Sequence, residues 1–266
     1  MPDGTLPNSE RQPEVRRLSY TSDKGAGARA RIGVLVLESD QTMEAEFTQL
    51  LPQDGVAVYH SRLPNDATVT PETLAKMEQE LPIAARLIPG YMGLDSIGYG
   101  CTSGSTIIGE DKVAAIMNGP HPQAPATNPL TAAKAAFATL GVKRPALLTP
   151  YTPDVTLAMQ ANFAEAGFDV RLVGSFYEDS DIVVAKIAPE AILEAVLDVG
   201  SSGDCDGVFI SCTSLRAAGT IEPAEQKLGK PVTSSNHALA WHLLRLAGVD
   251  DRIDGQGRLF REGLAA

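Results

Sequence analysis

The sequence contains few cysteines and few basic residues, and each shortage excludes a class of protein. Three of the 266 residues are cysteine, an odd number without CxxC spacing, which argues against a metal site and favours a reducing, cytoplasmic environment. The 22 lysines and arginines stand against 33 acidic residues, a formal net charge of -11. Nucleic-acid and anionic-membrane partners require clustered basic residues and are therefore not expected.

Long hydrophobic runs and cofactor motifs are also missing. No apolar run approaches the roughly 20 residues of a membrane-spanning helix, so the sequence predicts no membrane segment. It contains no P-loop, no G-x-G-x-x-G after a strand and no lysine in a context typical of pyridoxal phosphate. His237 and His242 lie five residues apart rather than at the i, i+4 spacing of metal ligands, and we interpret both as structural. We expect neither a cofactor nor a metal.

The chain is polar at its start and then alternates between two hydrophobic patterns. The first 30 residues lack the apolar stretch of a secretory signal, and we interpret 1–30 as a flexible N-terminal arm. From residue 31, short β-rich runs alternate with segments whose apolar residues recur at helical spacing. The strand candidates are 32–37, 56–61, 96–100, 145–150, 169–175 and 207–212. This alternation predicts parallel sheets covered by helices on both faces.

The order of landmarks repeats along the chain. Four pairs keep nearly the same separation: Phe47 and Phe163, Gly55 and Gly167, Cys101 and Cys212, and Asn128 and Asn236. The repeat predicts an α/β fold of two similar lobes, each a parallel sheet flanked by helices, related by a pseudo-twofold axis. The predicted parts are a first lobe at 31–125, a crossing helix at 126–143, a second lobe at 144–233, and a C-terminal helix returning across the lobes, with a tail, at 234–266.

Two cysteines occupy matched positions in these lobes. Cys101 in "GYGCTSG" and Cys212 in "FISCTSL" each lie at the end of a predicted strand. Ligands of open α/β sheets bind outside the C-terminal ends of the strands, so the two thiols are expected to converge on one cleft. The neighbouring hydroxyl residues and backbone N–H groups would bind a carboxylate there. These candidate contacts are Thr102, Ser103, Thr213 and Ser214.

The two thiols could act without a cofactor. A helix N-terminus lowers a thiol pKa from about 8.5 toward neutrality, and two thiols on opposite sides of one carbon could remove a proton from one face and return it to the other. A lone cysteine is often an inert buried residue, which is how we interpret Cys205. The matched placement of Cys101 and Cys212 favours a catalytic role.

Five segments, in order, resemble the aspartate/glutamate racemase superfamily: "LVLESDQTMEAEF", "GYGCTSGS", "LLTPYTPDV", "GVFISCTSLR" and "SSNHALAWHLLRLAG". More narrowly, they are similar to its maleate isomerase and arylmalonate decarboxylase branch, and most closely to the ectoine-utilisation protein A group. The resemblance implies a two-lobed α/β fold with the active site between the lobes. It also implies, by analogy, a homo-oligomer.

The resemblance assigns roles to individual residues. Cys101 falls where maleate isomerases carry the cysteine that attacks the substrate double bond, and Cys212 falls where they carry the cysteine that donates or removes a proton. Arylmalonate decarboxylases keep only the second cysteine, with glycine at the first position, so the presence of both indicates an isomerase or racemase. Tyr151 matches a tyrosine that hydrogen-bonds a substrate carboxylate, although packing in a proline-rich turn would also explain it.

One departure from the family pattern concerns Asp40 and Gln41. Maleate isomerases read Ser-Asn-Thr-Thr-x-Glu where this chain reads "SDQTME", so Asp40 replaces an asparagine that holds a substrate carboxylate. Asp40 could cap the following helix. Our hypothesis is instead that it faces the cleft and meets an ammonium or amide group of an amino-acid derivative. The second-lobe asparagine of maleate isomerases has no clear match in "FYEDSDIVVAKI".

Three functions are compatible with these observations. The first is a cofactor-independent isomerase or racemase in which both cysteines act on a small carboxylate or amino-acid derivative, with a place in ectoine or hydroxyectoine breakdown implied by the resemblance. The second is an arylmalonate-type decarboxylase that uses Cys212 alone. The third is a non-catalytic protein that closes on a small ligand.

Overall fold

The structure is a computed structural model that describes residues 15–265. Part of the predicted arm, residues 1–14, lies outside this range, and the arm's flexibility stays a prediction. Residues 15–29 have no helix or strand and are mostly exposed. None of the helices between residues 15 and 265 combines the length and apolarity needed to span a bilayer.

The first lobe is built on a four-stranded parallel sheet. Its strands, in the spatial order β2-β1-β3-β4, are β1 (Ala30–Leu37), β2 (Val56–Leu63), β3 (Ser96–Gly100) and β4 (Ala126–Thr127). The helices of this half are α1 (Met43–Leu50), α2 (Pro71–Leu87), α3 (Thr102–Ile108), α4 (Glu110–Asn118) and α5 (Pro129–Leu140). Strand β1 is almost fully buried because helices cover both faces of the sheet.

The second lobe repeats this plan. Its strands, in the order β6-β5-β7-β8, are β5 (Pro145–Thr149), β6 (Val173–Ser175), β7 (Gly207–Ile210) and β8 (Val232–Ser234). Its helices are α6 (Pro153–Glu165), α7 (Asp181–Val184), α8 (Pro189–Gly200), α9 (Ile221–Leu228) and α10 (Ser235–Leu246). Both sheets are parallel. In each, the strand that comes first in the chain lies between the second and the third strands of its lobe. The predicted α/β fold of two similar lobes is confirmed.

Four of the predicted strands, β1, β2, β5 and β7, differ from the structure by one or two residues at one end, and larger differences occur at three places. Strands β4 and β8 contain two and three residues, too few for a recognisable hydrophobic pattern, and the sequence did not predict them. Strand β6 begins at Val173, four residues later than predicted. Just before it, the Phe168 N–H donates to the Phe163 carbonyl and the Asp169 N–H donates to the Lys143 carbonyl. Neither bond belongs to the hydrogen-bond ladder between β5 and β6.

Helices α5 and α10 join the lobes. Helix α10 begins directly after β8 of the second lobe but packs against α5 and against β1 and β3 of the first. Its side chains approach β3 at Gly98, where a Cβ atom would lie 3.2 Å from methyl groups of Leu239 and Leu243. This close packing brings the start of α10 to the place where β3 and β7 end.

Candidate active site

A small buried pocket lies between the lobes, at the C-terminal ends of β3 and β7. Residues from both cysteine segments line it, as the sequence predicted: Cys101, Thr102, Ser103, Cys212 and Thr213. Tyr151, which follows β5, also lines it. The cavity volume is about 10 Å³, which is room for roughly one water molecule. The pocket is therefore closed in this structure.

Cys101 lies at the N-terminus of α3. Its Sγ accepts a hydrogen bond from the backbone N–H of Gly104 at 3.2 Å and lies 3.6 Å from Oγ of Ser103. Burial raises the pKa of the Cys101 thiol to about 11, despite the opposing effect of these two hydrogen bonds. The expectation that a helix N-terminus lowers this pKa toward neutrality is wrong for the closed pocket, because desolvation disfavours the thiolate more strongly.

Cys212 has an unusual backbone conformation. Its φ of 118° is rare for a residue with a side chain, and such strain persists where surrounding contacts enforce it. One such contact is a hydrogen bond of 3.0 Å from the Cys212 N–H to Oγ of Ser235. Burial and the negative charge of Asp181 raise the pKa of the Cys212 thiol, while a hydrogen bond with Tyr151 opposes the shift. Both thiols are therefore protonated in the closed pocket at neutral pH.

Two predicted contact residues lie away from the pocket surface. Gln41 is exposed. Ser214 is buried behind the pocket, where its Oγ lies 3.5 Å from Asp181 Oδ1 and its carbonyl accepts a hydrogen bond from Thr42. Thr102 and Thr213 line the pocket, but their hydroxyls bond within the protein, to Ser235 Oγ and to the Gly100 carbonyl respectively.

Asp40 caps helix α1. Its Oδ1 accepts hydrogen bonds from the N–H groups of Thr42 at 2.7 Å and Met43 at 2.8 Å, which is the capping alternative. The residue is buried, burial raises the pKa of its carboxyl group, and it does not line the pocket. The hypothesis that Asp40 itself meets a substrate ammonium group is therefore not supported by its position.

The buried carboxylate that does line the pocket is Asp181, which was not among the residues predicted from the sequence. It is the first residue of α7, within the segment "FYEDSDIVVAKI". An antiparallel bridge between Thr68 and Ser180 holds this segment against the first lobe. Three acidic residues occur within four positions of this segment, and only the tertiary fold distinguishes them, because it buries Asp181 and leaves Asp179 exposed.

A match to a known family accompanies this geometry. The sequence profile of the family described as arylmalonate decarboxylase matches residues 69–260, well over half of the chain. The chain belongs to the arylmalonate decarboxylase family. The resemblance to the maleate isomerase and arylmalonate decarboxylase branch is thereby confirmed.

Relatives of this family member include enzymes of two kinds. The chain is 33% identical over 140 residues to arylmalonate decarboxylase from Bordetella bronchiseptica, which covers 52% of this chain and 58% of that enzyme. It is 28% identical over 245 residues to maleate isomerase from Nocardia farcinica, with 88% and 97% covered. A solved structure of a mutant of the N. farcinica maleate cis-trans isomerase, with a covalently bound succinylcysteine intermediate, matches at 25% identity with a TM-score of 0.79, covering 87% of this chain and 98% of that one. These relatives support an enzyme of the isomerase and decarboxylase type.

In this member of the arylmalonate decarboxylase family, the start of α10 connects the two cysteine segments. Oγ of Ser235, which is fully buried, lies 2.7 Å from Thr102 Oγ1 and accepts the hydrogen bond from Cys212. Beside it, Asn236 Nδ2 donates to the Thr213 carbonyl and to Glu46 Oε2, both at 2.8 Å. The sequence offered one signal, since both residues lie in "SSNHALAWHLLRLAG". Ser235 thus links the residue after Cys101 to the backbone of Cys212.

We expect Ser235→Ala to lower the kcat of any reaction that depends on both thiols by about tenfold to a hundredfold. The change leaves the Cys212 N–H without a partner, which costs about 1–3 kcal/mol, and a misplaced catalytic group can cost about a hundredfold in rate. The measurements are kcat and the free energy of unfolding. Ser234→Ala is the matched control, because within residues 15–265 the hydrogen bond of Ser234 Oγ is to the His237 N–H and not to either cysteine segment. Equal kcat values for the two variants would contradict the positioning role.

Proposed function

We propose that the protein is a cofactor-independent isomerase or racemase in which Cys101 and Cys212 act together on a small carboxylate or amino-acid derivative. One observation carries the proposal: thiols from equivalent positions of two similar lobes line the same buried pocket. A protein that only binds a ligand has no need of two matched thiols, and the strained backbone at Cys212 is typical of a functional site.

In the proposed racemase reaction, one thiol acts as thiolate and removes the proton from the carbon next to the substrate carboxylate. The electron pair of the broken C–H bond moves into the carboxylate as an enediolate, within reach of the Tyr151 hydroxyl. The other thiol then donates its proton to the opposite face of the same carbon. One C–H bond breaks and one forms, and the two cysteines exchange protonation states.

In the proposed cis–trans reaction, the Cys101 thiolate adds to one carbon of the substrate double bond, and Cys212 protonates the neighbouring carbon. The single bond then rotates. Cys212 removes the proton again, and the bond to Cys101 breaks. The succinylcysteine intermediate of the N. farcinica isomerase supports such a covalent step. The resemblance to the ectoine-utilisation protein A group further supports a substrate from ectoine or hydroxyectoine breakdown.

A second candidate is supported by the family match itself. In an arylmalonate-type decarboxylase, one C–C bond would break with loss of CO₂, and Cys212 alone would protonate the resulting enediolate. Cys101 would then be dispensable. The presence of a second thiol in the pocket favours the isomerase or racemase over this candidate.

Proton NMR in D₂O distinguishes these functions. The purified protein is incubated separately with maleate, aspartate, N-acetyl-diaminobutyrate and an arylmalonate, and each reaction is repeated with Cys101→Ala and with Cys212→Ala. We expect deuterium to enter an α carbon, or a cis bond to become trans, with the wild type and with neither variant. Loss of CO₂ that survives Cys101→Ala would instead establish the decarboxylase. A ligand whose signals broaden without any reaction would indicate a binding protein.

A further inference from the structure

Asp181 is a buried carboxylate without a cationic partner. It is 4% exposed, and its hydrogen-bonding neighbours are two hydroxyl groups, Ser39 Oγ at 2.9 Å from Oδ2 and Ser214 Oγ at 3.5 Å from Oδ1. Across residues 15–265, the salt bridges involve other acidic residues. A buried ionised carboxylate usually has a charged partner, so Asp181 lacks the group that would stabilise its charge.

The rest of the pocket does not supply a positive charge. Its titratable lining residues are Cys101, Cys212, Tyr151, Asp66 and Asp181, all of them neutral or negative. Among the described residues, no lysine, arginine or histidine lines it. Asp66 is exposed and accepts a hydrogen bond from the Thr68 N–H, so water screens its charge. A second carboxylate of a substrate placed beside Asp181 would be repelled.

We infer that Asp181 binds a substrate ammonium group, and that the substrate is a short zwitterionic amino acid rather than a dicarboxylate. The inference rests on the proposed function, since it takes the two-thiol pocket to be the substrate site. The substrate ammonium group is the missing cation. Its carboxylate would then bind Tyr151, which also lines the pocket.

The charge of Asp181 also links substrate binding to thiol chemistry. Burial is the main cause of the raised pKa of both Cys101 and Cys212, and the charge of Asp181 raises both values further. A substrate ammonium group next to Asp181 offsets that charge and removes its contribution, which lowers both thiol pKa values. A dicarboxylate would instead place a second negative charge beside Asp181. Such a substrate would bind more weakly, and it would raise the thiol pKa values further.

Asp181 could donate a hydrogen bond to a substrate carboxylate, as an asparagine side chain can, only if its own carboxyl group were protonated. Burial and the neighbouring Asp40 charge raise the pKa of Asp181 to about 6. At neutral pH the group is therefore mostly ionised, and it accepts hydrogen bonds rather than donating one to a carboxylate. The geometry agrees with this, because both neighbouring hydroxyls can donate to it.

The test measures binding separately from turnover. Dissociation constants are determined by calorimetry on the double variant Cys101→Ala, Cys212→Ala, which cannot turn over substrate by the proposed reaction. The probes are alanine, serine and 2-aminobutyrate, each paired with the same acid carrying hydrogen in place of the α-ammonium group, so that the two members of a pair differ in that group alone and neither has a second carboxylate. We expect at least one ammonium compound to bind about tenfold or more tightly than its pair. Asp181→Asn in this background should remove that preference.

The matched control is Asp179→Asn, the same substitution two residues earlier at an exposed side chain outside the pocket lining. It should leave the preference intact. Equal or tighter binding of the deaminated acids, binding of none of the ammonium compounds, or a preference that survives Asp181→Asn would overturn the inference. Circular dichroism verifies the fold of each variant, and Asp181→Asn is isosteric and keeps an acceptor for Ser39.

The two proposals can fail separately. Thiol-dependent turnover of maleate by the wild type, without any preference for ammonium compounds, would retain the proposed function and overturn the inference about Asp181. Binding of an amino acid that depends on Asp181, with no reaction in the wild type, would retain the recognition by Asp181 and overturn the two-thiol mechanism.

Discussion

Replacing Cys212 with serine is expected to lower kcat by about a thousandfold, within the range of about 10² to 10⁴ that a positioned acid or base contributes. A serine hydroxyl is a far weaker acid than a thiol and forms no useful base near neutral pH. The exchange is nearly isosteric, so the backbone conformation held by Ser235 should persist. The measurements are the rate of deuterium incorporation and, as a check on the fold, the free energy of unfolding.

Cys205→Ser is the matched control for this variant. Cys205 is also buried, but its Sγ contacts backbone carbonyls, with that of Ser202 at 3.4 Å, and it does not line the pocket. Its replacement should leave kcat unchanged. If the protein is an isomerase or racemase, Cys101→Ser should lower kcat as much as Cys212→Ser does. If it is a decarboxylase, Cys101→Ser should keep the wild-type kcat. A Cys212→Ser enzyme within tenfold of wild-type kcat would contradict all catalytic roles proposed for this residue.

Gly104→Ala is expected to lower kcat by at least about a hundredfold, the size of effect that a small displacement of a catalytic group can produce. A Cβ atom at this position would overlap the hydroxyl of Tyr99 and lie 2.9 Å from Met77 Cε and 3.0 Å from Cys101 Sγ. All three neighbours are buried, so the added methyl group must displace the Tyr99 hydroxyl and Met77, and it crowds the Cys101 thiol. Such overpacking typically costs about 1–3 kcal/mol of stability.

Gly219→Ala serves as the control for Gly104→Ala, because a Cβ atom at Gly219 would meet nothing within 4 Å. It should leave both kcat and stability near their wild-type values. The variants are compared by thermal unfolding and by the deuterium incorporation assay. A Gly104→Ala protein with wild-type kcat would show that the position of Cys101 Sγ does not limit the reaction.

Much of the fold follows from local patterns in the sequence. The alternation of β-rich runs with helical periodicity predicted the parallel sheets, and β3 begins and ends at the predicted residues. The repeat of Cys101 at Cys212 predicted two similar lobes, and the preference of ligands for the C-terminal ends of parallel strands placed both cysteines at one pocket. These features are readable because each depends on residues close in sequence or on a general rule of α/β architecture.

The remaining features depend on burial and on contacts between distant segments. The pKa of both thiols rises because the lobes exclude water from the pocket, and at Cys101 this effect is larger than that of the local helix terminus. The choice of Asp181 over Asp40 or Asp179 as the pocket carboxylate results from the packing of α7 against the first lobe. The sequence by itself determined the fold and the pair of cysteines, because their signals are periodic and local. Only the tertiary structure decided the charge of the site and the connection through Ser235, because desolvation and long-range hydrogen bonds exist only once the lobes have closed on each other.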